Sequence, residues 1–283
     1  MNYSDKLASF YEIQSILQDI RGKRVVIKYG GAAMKNHRLT ERVIKNMILL
    51  REMGLQCVIV HGGGPAINDW LKKLSIQPEF HEGIRITDPE TMQIVQMVLA
   101  GQVNKNLVAL LNESTVKAVG LSGHDGKLIT ALPIDQESNN RVANVKAIDN
   151  EILDVLLSHD YIPVIAPIGV DTSGLSYNIN ADVVAGYIAS AINADMLIML
   201  TDTPGILLDS NDTSTLLEHV NIRKIYQLIE SGIIHGGMLP KVKSCLKVID
   251  SGVRTVKIID GRIPDSLILS FMPEVSIGTS IVN

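Results

Sequence analysis

Cysteine and aromatic residues are scarce in this chain, and neither sign of charge dominates it. Only Cys57 and Cys245 occur, far apart and each beside apolar neighbours. That usage predicts two buried thiols in a reducing compartment and argues against a disulfide framework or a thiolate metal site. Aromatic residues make up 4% of the chain, with a single Trp, too few for the platforms on which single-stranded nucleic acid stacks. The formal net charge is only -4, so nothing draws the whole molecule to nucleic acid or to an anionic membrane, and any anion site has to be local. The first residues lack the basic start and continuous apolar run of a signal peptide, and no later apolar stretch reads as long enough to span a bilayer. A protein without nucleic-acid or membrane partners is therefore expected. Its 283 residues, 46% hydrophobic, suffice for one large α/β domain or two lobes.

The familiar nucleotide signatures are missing as well. The first strand-to-helix turn holds no G-x-G-x-x-G, which argues against a nicotinamide dehydrogenase. Gly126-Lys127 lacks the glycine five residues earlier and is followed by Leu128, so it is not a Walker phosphate loop.

What is present is a rhythm of short apolar runs alternating with helical patterns. RVVIKY (24–29), QCVIVH (56–61), IPVIAP (162–167), MLIMLT (196–201) and RTVKII (254–259) read as buried strands. Helices are expected over 40–53, 65–74, 89–112, 150–158, 181–192, 222–231 and 241–251. Strand alternating with helix predicts an α/β fold with a mainly parallel central sheet sandwiched by helices. Segments 77–87 and 117–147 read as hairpins standing off that sheet, and 208–219 reads as a surface loop. Leu7, Phe10, Ile13, Leu17 and Ile20 recur at helical steps; the N-terminal helix they mark either packs on its own domain or docks a neighbouring subunit.

Four constellations bear chemistry. Lys28-Tyr29-Gly30-Gly31 puts a lysine at the carboxyl end of a strand beside a turn bare of side chains, and His61-Gly62-Gly63-Gly64-Pro65 joins a strand to a helix through amide-rich backbone suited to an anion. Tyr177-Asn178-Ile179-Asn180-Ala181-Asp182 leads polar residues into a helix. Capping by Asn180 accounts for part of this run, and a carboxylate near two lysines accounts for Asp182. The glycine-rich loop ending in Gly236-Gly237-Met238-Leu239-Pro240-Lys241 delivers a second lysine to a helix start. Two lysines suit a transferred phosphoryl group.

Taken in order, KYGG, HGGGP, GIRITDPE, YNINAD, LTDTPGIL and GGMLPKV resemble the amino acid kinase family, from about Lys23 to the C-terminus. GIRIT, with Arg85, resembles the members that phosphorylate N-acetyl-L-glutamate rather than those acting on carbamate, aspartate or uridylate. The resemblance implies an amino acid kinase fold in two lobes, one for N-acetylglutamate (23–192) and one for ATP (193–283), after an N-terminal interface helix (1–22). It also implies roles. Lys28 and Lys241 would stabilise the transition state, with Asp182 orienting them. Gly63, Gly64, Arg85 and Asn178 would hold the substrate. Gly30, Gly31, Thr201, Asp202, Gly236 and Met238 would lie on the nucleotide side. The acceptor γ-carboxylate is already ionised near neutral pH, so no general base is required, and His61 and His235 read as structural or supporting groups. Mg²⁺ would be held by ATP oxygens and water, without a protein cage.

The N-terminal helix resembles the extension of hexameric, arginine-inhibited relatives, built as trimers of dimers. Where those members have a His in the last strand and a Glu before the final IGT, this chain has Lys257 and Ser270. Weak or altered binding of an arginine effector is expected from that change. PII signalling protein partners some photosynthetic relatives; no motif in this sequence bears on it. Bacterial cytoplasm or plastid stroma fits the compartment. Other acyl-phosphate-forming kinases, acting on carbamate or glutamate, and a catalytically silent amino-acid sensor remain the alternatives.

Overall fold

The protein is described from a computed structural model, which covers the chain apart from Met1, Asn2, Lys35, Glu82, Gly83, residues 136–138, Gly237, Pro273 and Glu274, and apart from the side chains of 3–6, 8–10, 12, 32, 33, 81 and 84. After α1 (Tyr3–Ile20) the elements are β1 (Arg24–Tyr29), α2 (His37–Glu52), β2 (Gln56–His61), α3 (Gly64–Lys73), β3 (Phe80–His81), β4 (Ile84–Arg85), α4 (Pro89–Gln96), a π-helical segment (Met97–Val103), α5 (Asn104–Asn112) and β5 (Lys117–Leu121). Then come β6 (Ile129–Pro133), β7 (Val142–Ile148), α6 (Glu151–Ser158), β8 (Tyr161–Ile165), β9 (Ile168–Val170), β10 (Ser176–Ile179) and α7 (Ala181–Ala191). The chain closes with β11 (Met196–Thr201), β12 (His219–Asn221), α8 (Ile222–Glu230), α9 (Met238–Asp250), β13 (Thr255–Asp260), α10 (Ser266–Leu269) and β14 (Thr279–Val282).

Eight strands form one sheet in the order β12-β14-β13-β11-β1-β2-β8-β5. Every pairing in it is parallel except β13 with β14. The inner strands are apolar on both faces because helices cover both. Alternation along β1 shows how: Val26 joins the core beneath α7, α8 and α9, while Val25, Ile27 and Tyr29 join the core beneath α2 to α5. A parallel sheet gathers its carboxyl ends on one edge, and here that edge collects Lys28 of β1, His61 of β2 and Thr201 of β11.

The apolar runs at 24–29, 56–61 and 196–201 coincide with β1, β2 and β11. The two thiols are both buried and free, and 208–218 is mostly exposed loop, with a short 3-10 turn at Thr213–Thr215 and a bridge from Leu216 to Leu207, before His219 opens β12. Three expectations need correcting. Segment 117–147 is not all off the main sheet: β5 is its edge strand, parallel to β8, and only β6 and β7 stand apart, in a small closed barrel with β9 and β10. KAVGL misleads because an edge strand half open to solvent alternates like a hairpin strand. Segment 77–87 does form a hairpin of β3 with β4, its tip lying outside the described residues. The expected helix 89–112 is interrupted by the π segment. Counted as one helical run, Pro89–Asn112 is long and apolar enough to cross a bilayer by length and composition, against the expectation. Its apolar face, including Met92, Val95, Leu99, Leu107 and Leu111, is buried in the core instead.

Of the N-terminal stripe, Leu17 is half-buried and Ile20 buried, whereas Leu7, Ile13 and the neighbouring Tyr11 are exposed; the Phe10 side chain lies outside those described. Among the described apolar side chains of the helix, the buried and half-buried ones lie at its carboxyl end.

Candidate active site

Lys28 points from the end of β1 toward the first glycine turn: a Cβ on Gly30 would lie 3.0 Å from its Nζ and 3.6 Å from the Gly62 nitrogen. Gly30 and Gly62 thus let two neighbouring strand ends meet face to face, and the Gly62 N–H donates to the Tyr29 carbonyl at 2.8 Å. Gly31, at φ +70, opens the 3-10 turn Gly31–Met34 in a left-handed conformation that glycine adopts without strain.

Asp182 supplies the centre. Asn180 caps α7 by accepting from the backbone N–H groups of Asp182 and Val183, which fixes Asp182 in the first turn. Its Oδ1 lies 2.9 Å from Lys28 Nζ and its Oδ2 3.8 Å from Lys241 Nζ. Burial opposes its charge, but Lys28 and then Lys241 outweigh that and hold its carboxyl below the usual carboxylate range. The cluster is a fixed anion between two cations, and it stays ionised through neutral pH.

The second half-site is built on α3. Gly63 is its N-cap and Gly64 its first residue, with Pro65 following, so free N–H groups and the positive helix end face the edge of the sheet. A Cβ on Gly63 would stand 2.3 Å from Leu99 Cδ2, so any larger residue there would have to displace the end of the Leu99 side chain. Arg85, 7% exposed, donates through Nη2 to Asn68 Oδ1 at 2.5 Å and reaches the Gly64 carbonyl at 3.5 Å, with its guanidinium over the Phe80 ring. Its Nη1 is buried without a partner among the described residues. A buried guanidinium nitrogen without an acceptor is costly, and a ligand carboxylate beside it supplies one. Asn178 of β10 donates to Thr87 Oγ1 at 3.3 Å, and that hydroxyl donates to the Arg85 carbonyl at 3.0 Å. Thr87, fully buried, therefore ties Arg85 and Asn178 together, a link that sequence reading missed.

On the far side of the lysines, Thr201 ends β11 and its hydroxyl donates to Asp202 at 3.3 Å. A cavity of about 240 Å³ follows, lined by Thr203, Pro204, Gly205, Ile206, His235 and Met238 among others. Gly236, at φ +54, separates the last two; Gly237 lies outside the described residues. Thr203, which sequence reading also missed, buries a hydroxyl without a partner among the described residues. Of the thirteen sequence-predicted residues, the structure brings Lys28, Lys241 and Asp182 together, sets Gly30 against Gly62 of the glycine turn, and links Arg85 to Gly64 and, through Thr87, to Asn178. Met238 lines the cavity, and Thr201 and Asp202 precede its first lining residue in the chain.

Known proteins share this design. Two curated relatives named acetylglutamate kinase, from Nostoc punctiforme and Porphyra purpurea, are 51% identical over 266 residues and 48% identical over 268. Those alignments cover 94% and 95% of this chain and 89% and 95% of theirs. Among solved structures, N-acetylglutamate synthase from Neisseria gonorrhoeae in complex with coenzyme A and N-acetyl-glutamate superposes with a TM-score of 0.84 at 24% identity. The match covers 98% of this chain but 63% of that longer one. Carbamate kinase from Giardia lamblia bound to AMP-PNP gives 0.69 at 18% identity, covering 93% and 99%. Both superpositions speak for the fold. The sequence pattern of the amino acid kinase family itself spans residues 23–260, from the strand that bears Lys28 to the one that ends beside Thr201, and the chain belongs to that family.

Proposed function

We propose that the chain transfers the γ-phosphoryl of ATP to the γ-carboxylate of N-acetyl-L-glutamate, giving N-acetyl-L-glutamyl 5-phosphate, the second step of arginine biosynthesis. The observation that carries this reading is the convergence of Lys28 and Lys241 on Asp182 at the strand ends beside the glycine turn. The amide groups of Gly63 and Gly64 receive the reacting carboxylate, Arg85 holds the α-carboxylate through its free Nη1, and Asn178 binds the acetylamino side. ATP lies along Gly30 and Gly31, with its base side toward Thr201, Asp202, Gly236 and Met238. Lys28 and Lys241 neutralise the charge that spreads over the moving phosphoryl, and Asp182 keeps the two ammonium groups from repelling each other apart. An ionised carboxylate attacks without losing a proton, so positioning and charge do the work.

Mg²⁺, when bound, would screen the ATP phosphates. Among the described residues no group of three His, Cys, Asp or Glu side chains is gathered to hold a metal ion, and the Asp182 carboxylate is engaged by both lysines. In this reading the nucleotide's oxygens and water would be its ligands.

The acceptor lobe is placed at 23–192, the ATP lobe at 193–283 and an interface helix at 1–22. Exposed Leu7, Tyr11 and Ile13 on α1, and Trp70, Leu74, Phe80 and Met97 about the α3 face, support a homohexamer built as a trimer of dimers. Lys257 donates to the Ser270 carbonyl and is partly buried against Phe271, so a cation, not an acceptor, faces that segment. This supports weak arginine inhibition; PII protein remains a candidate partner, and cytoplasm or plastid stroma the compartment.

A panel of acceptors with ATP, with and without arginine, tests the reading. Acyl phosphate is expected from N-acetylglutamate and not from glutamate or carbamate, which lack the acetylamino group or the second carboxylate, and millimolar arginine is expected to leave most of the rate. Turnover of another acceptor instead would overturn the substrate assignment, and strong inhibition at low arginine the effector one.

A further inference from the structure

His61 is completely buried at the carboxyl end of β2, and nothing in the phosphoryl transfer calls on an imidazole. Its hydrogen bonds can be oriented from the fixed carbonyls at either end of a short relay. Asn104 Nδ2 lies 2.9 Å from the Val164 carbonyl and 3.2 Å from His61 Nε2. A carbonyl only accepts, so the amide nitrogen faces Val164 and gives its other hydrogen to Nε2. The ring proton is then on Nδ1, which lies 2.8 Å from the Gly62 carbonyl and donates to it. This pattern requires a neutral ring, and burial accordingly pushes the His61 pKa down to about 4.

The Gly62 carbonyl and the Gly63 N–H belong to one planar, trans peptide unit and point in opposite directions. Holding the carbonyl inward on His61 therefore turns the Gly63 N–H outward, toward the edge where the acceptor carboxylate is placed. A peptide between two glycines has little else to prevent its rotation. The scaffold around the relay is shaped for it. The π segment gives the helical run a wider turn, so that Leu99 packs beneath Gly63 while Asn104, five residues on, reaches His61. Gly120 leaves room for the amide, since a Cβ there would lie 1.9 Å from Asn104 Oδ1.

We propose that His61, oriented by Asn104, is a positioning residue for the acceptor carboxylate, pinning the Gly62–Gly63 peptide so that the Gly63 N–H faces the substrate. The inference rests on the acceptor reading above, and wild-type turnover of N-acetylglutamate is its reference: without that turnover the reading fails, not the relay. His61→Leu removes the pin. The KM for N-acetylglutamate is expected to rise about ten- to a hundredfold, the loss of a hydrogen bond to a charged group, while the KM for ATP moves less than about threefold. His61→Asn puts an amide N–H where Nδ1 stood and is expected to restore most of that loss; Asn104→Ala, which frees the ring without removing it, shifts the same KM to a smaller extent. An unchanged acceptor KM in a folded His61→Leu, or both KM values rising together with no rescue by His61→Asn, would overturn the assignment. If the variants do not fold, ¹⁵N-histidine spectra of the wild type decide. A neutral Nδ1–H ring at pH 7 is expected, and an Nε2–H or imidazolium form contradicts the relay.

Discussion

Two ammonium groups aimed at one phosphoryl would repel each other in an empty site, and Asp182 solves this by lying between them at 2.9 and 3.8 Å. Arg85 is the corresponding fixed charge on the proposed acceptor side, with Nη2 spent on Asn68 and Nη1 free among the described residues. Only a planar fork serves both directions at once. In Arg85→Lys a single ammonium has to choose, so the KM for N-acetylglutamate is expected to rise about tenfold or more in steady-state assays, with the KM for ATP nearly unmoved. Wild-type acceptor affinity in that variant contradicts the role given to Arg85. Of these residues, Lys28 was legible as a candidate anion ligand beside a glycine turn and Asp182 as a carboxylate in a polar run entering a helix, whereas Arg85 was legible only through the resemblance of GIRIT to a known family. Thr87 and Asn104 were not legible. Their partners Asn178 and His61 lie 91 and 43 positions away, and only the folded chain brings them together.

Elements buried on both faces were the easiest to read, since β1, β2 and β11 are unbroken apolar runs bounded by turns. The short strands were not: β9, β10, β12 and β14 have three or four residues each, too few for a period to show. The π segment was equally hidden, because its composition is that of a helix and its extra width answers to Gly63 and His61 across the domain. At the other extreme α1 was legible as a helix, and Leu7 and Ile13 on it are exposed. If the proposed hexamer forms, deleting residues 1–22 is expected to reduce it to dimers, measured by sedimentation, with kcat kept within about twofold because no proposed site residue lies on α1. A hexamer that survives the deletion removes the interface role.

At the scale of the whole molecule, one sheet underlies both half-sites. β1 lies between β2, which leads to the glycine turn, and β11, which leads to the apolar cavity. In the proposed function, acceptor and nucleotide would sit at these neighbouring strand ends on either side of Lys28, and the register of parallel strands would bring the reacting groups together. In the proposed function, two lysines held by one carboxylate carry the chemistry and no general base takes part. The most direct test is the single-turnover rate of phosphoryl transfer to N-acetylglutamate in Lys28→Ala and Lys241→Ala, at saturating ATP and acceptor. Each is predicted to slow transfer by about a hundredfold or more, the usual cost of a lost charge-stabilising donor. A folded variant of either that transfers phosphoryl within about tenfold of the wild-type rate would contradict the mechanism.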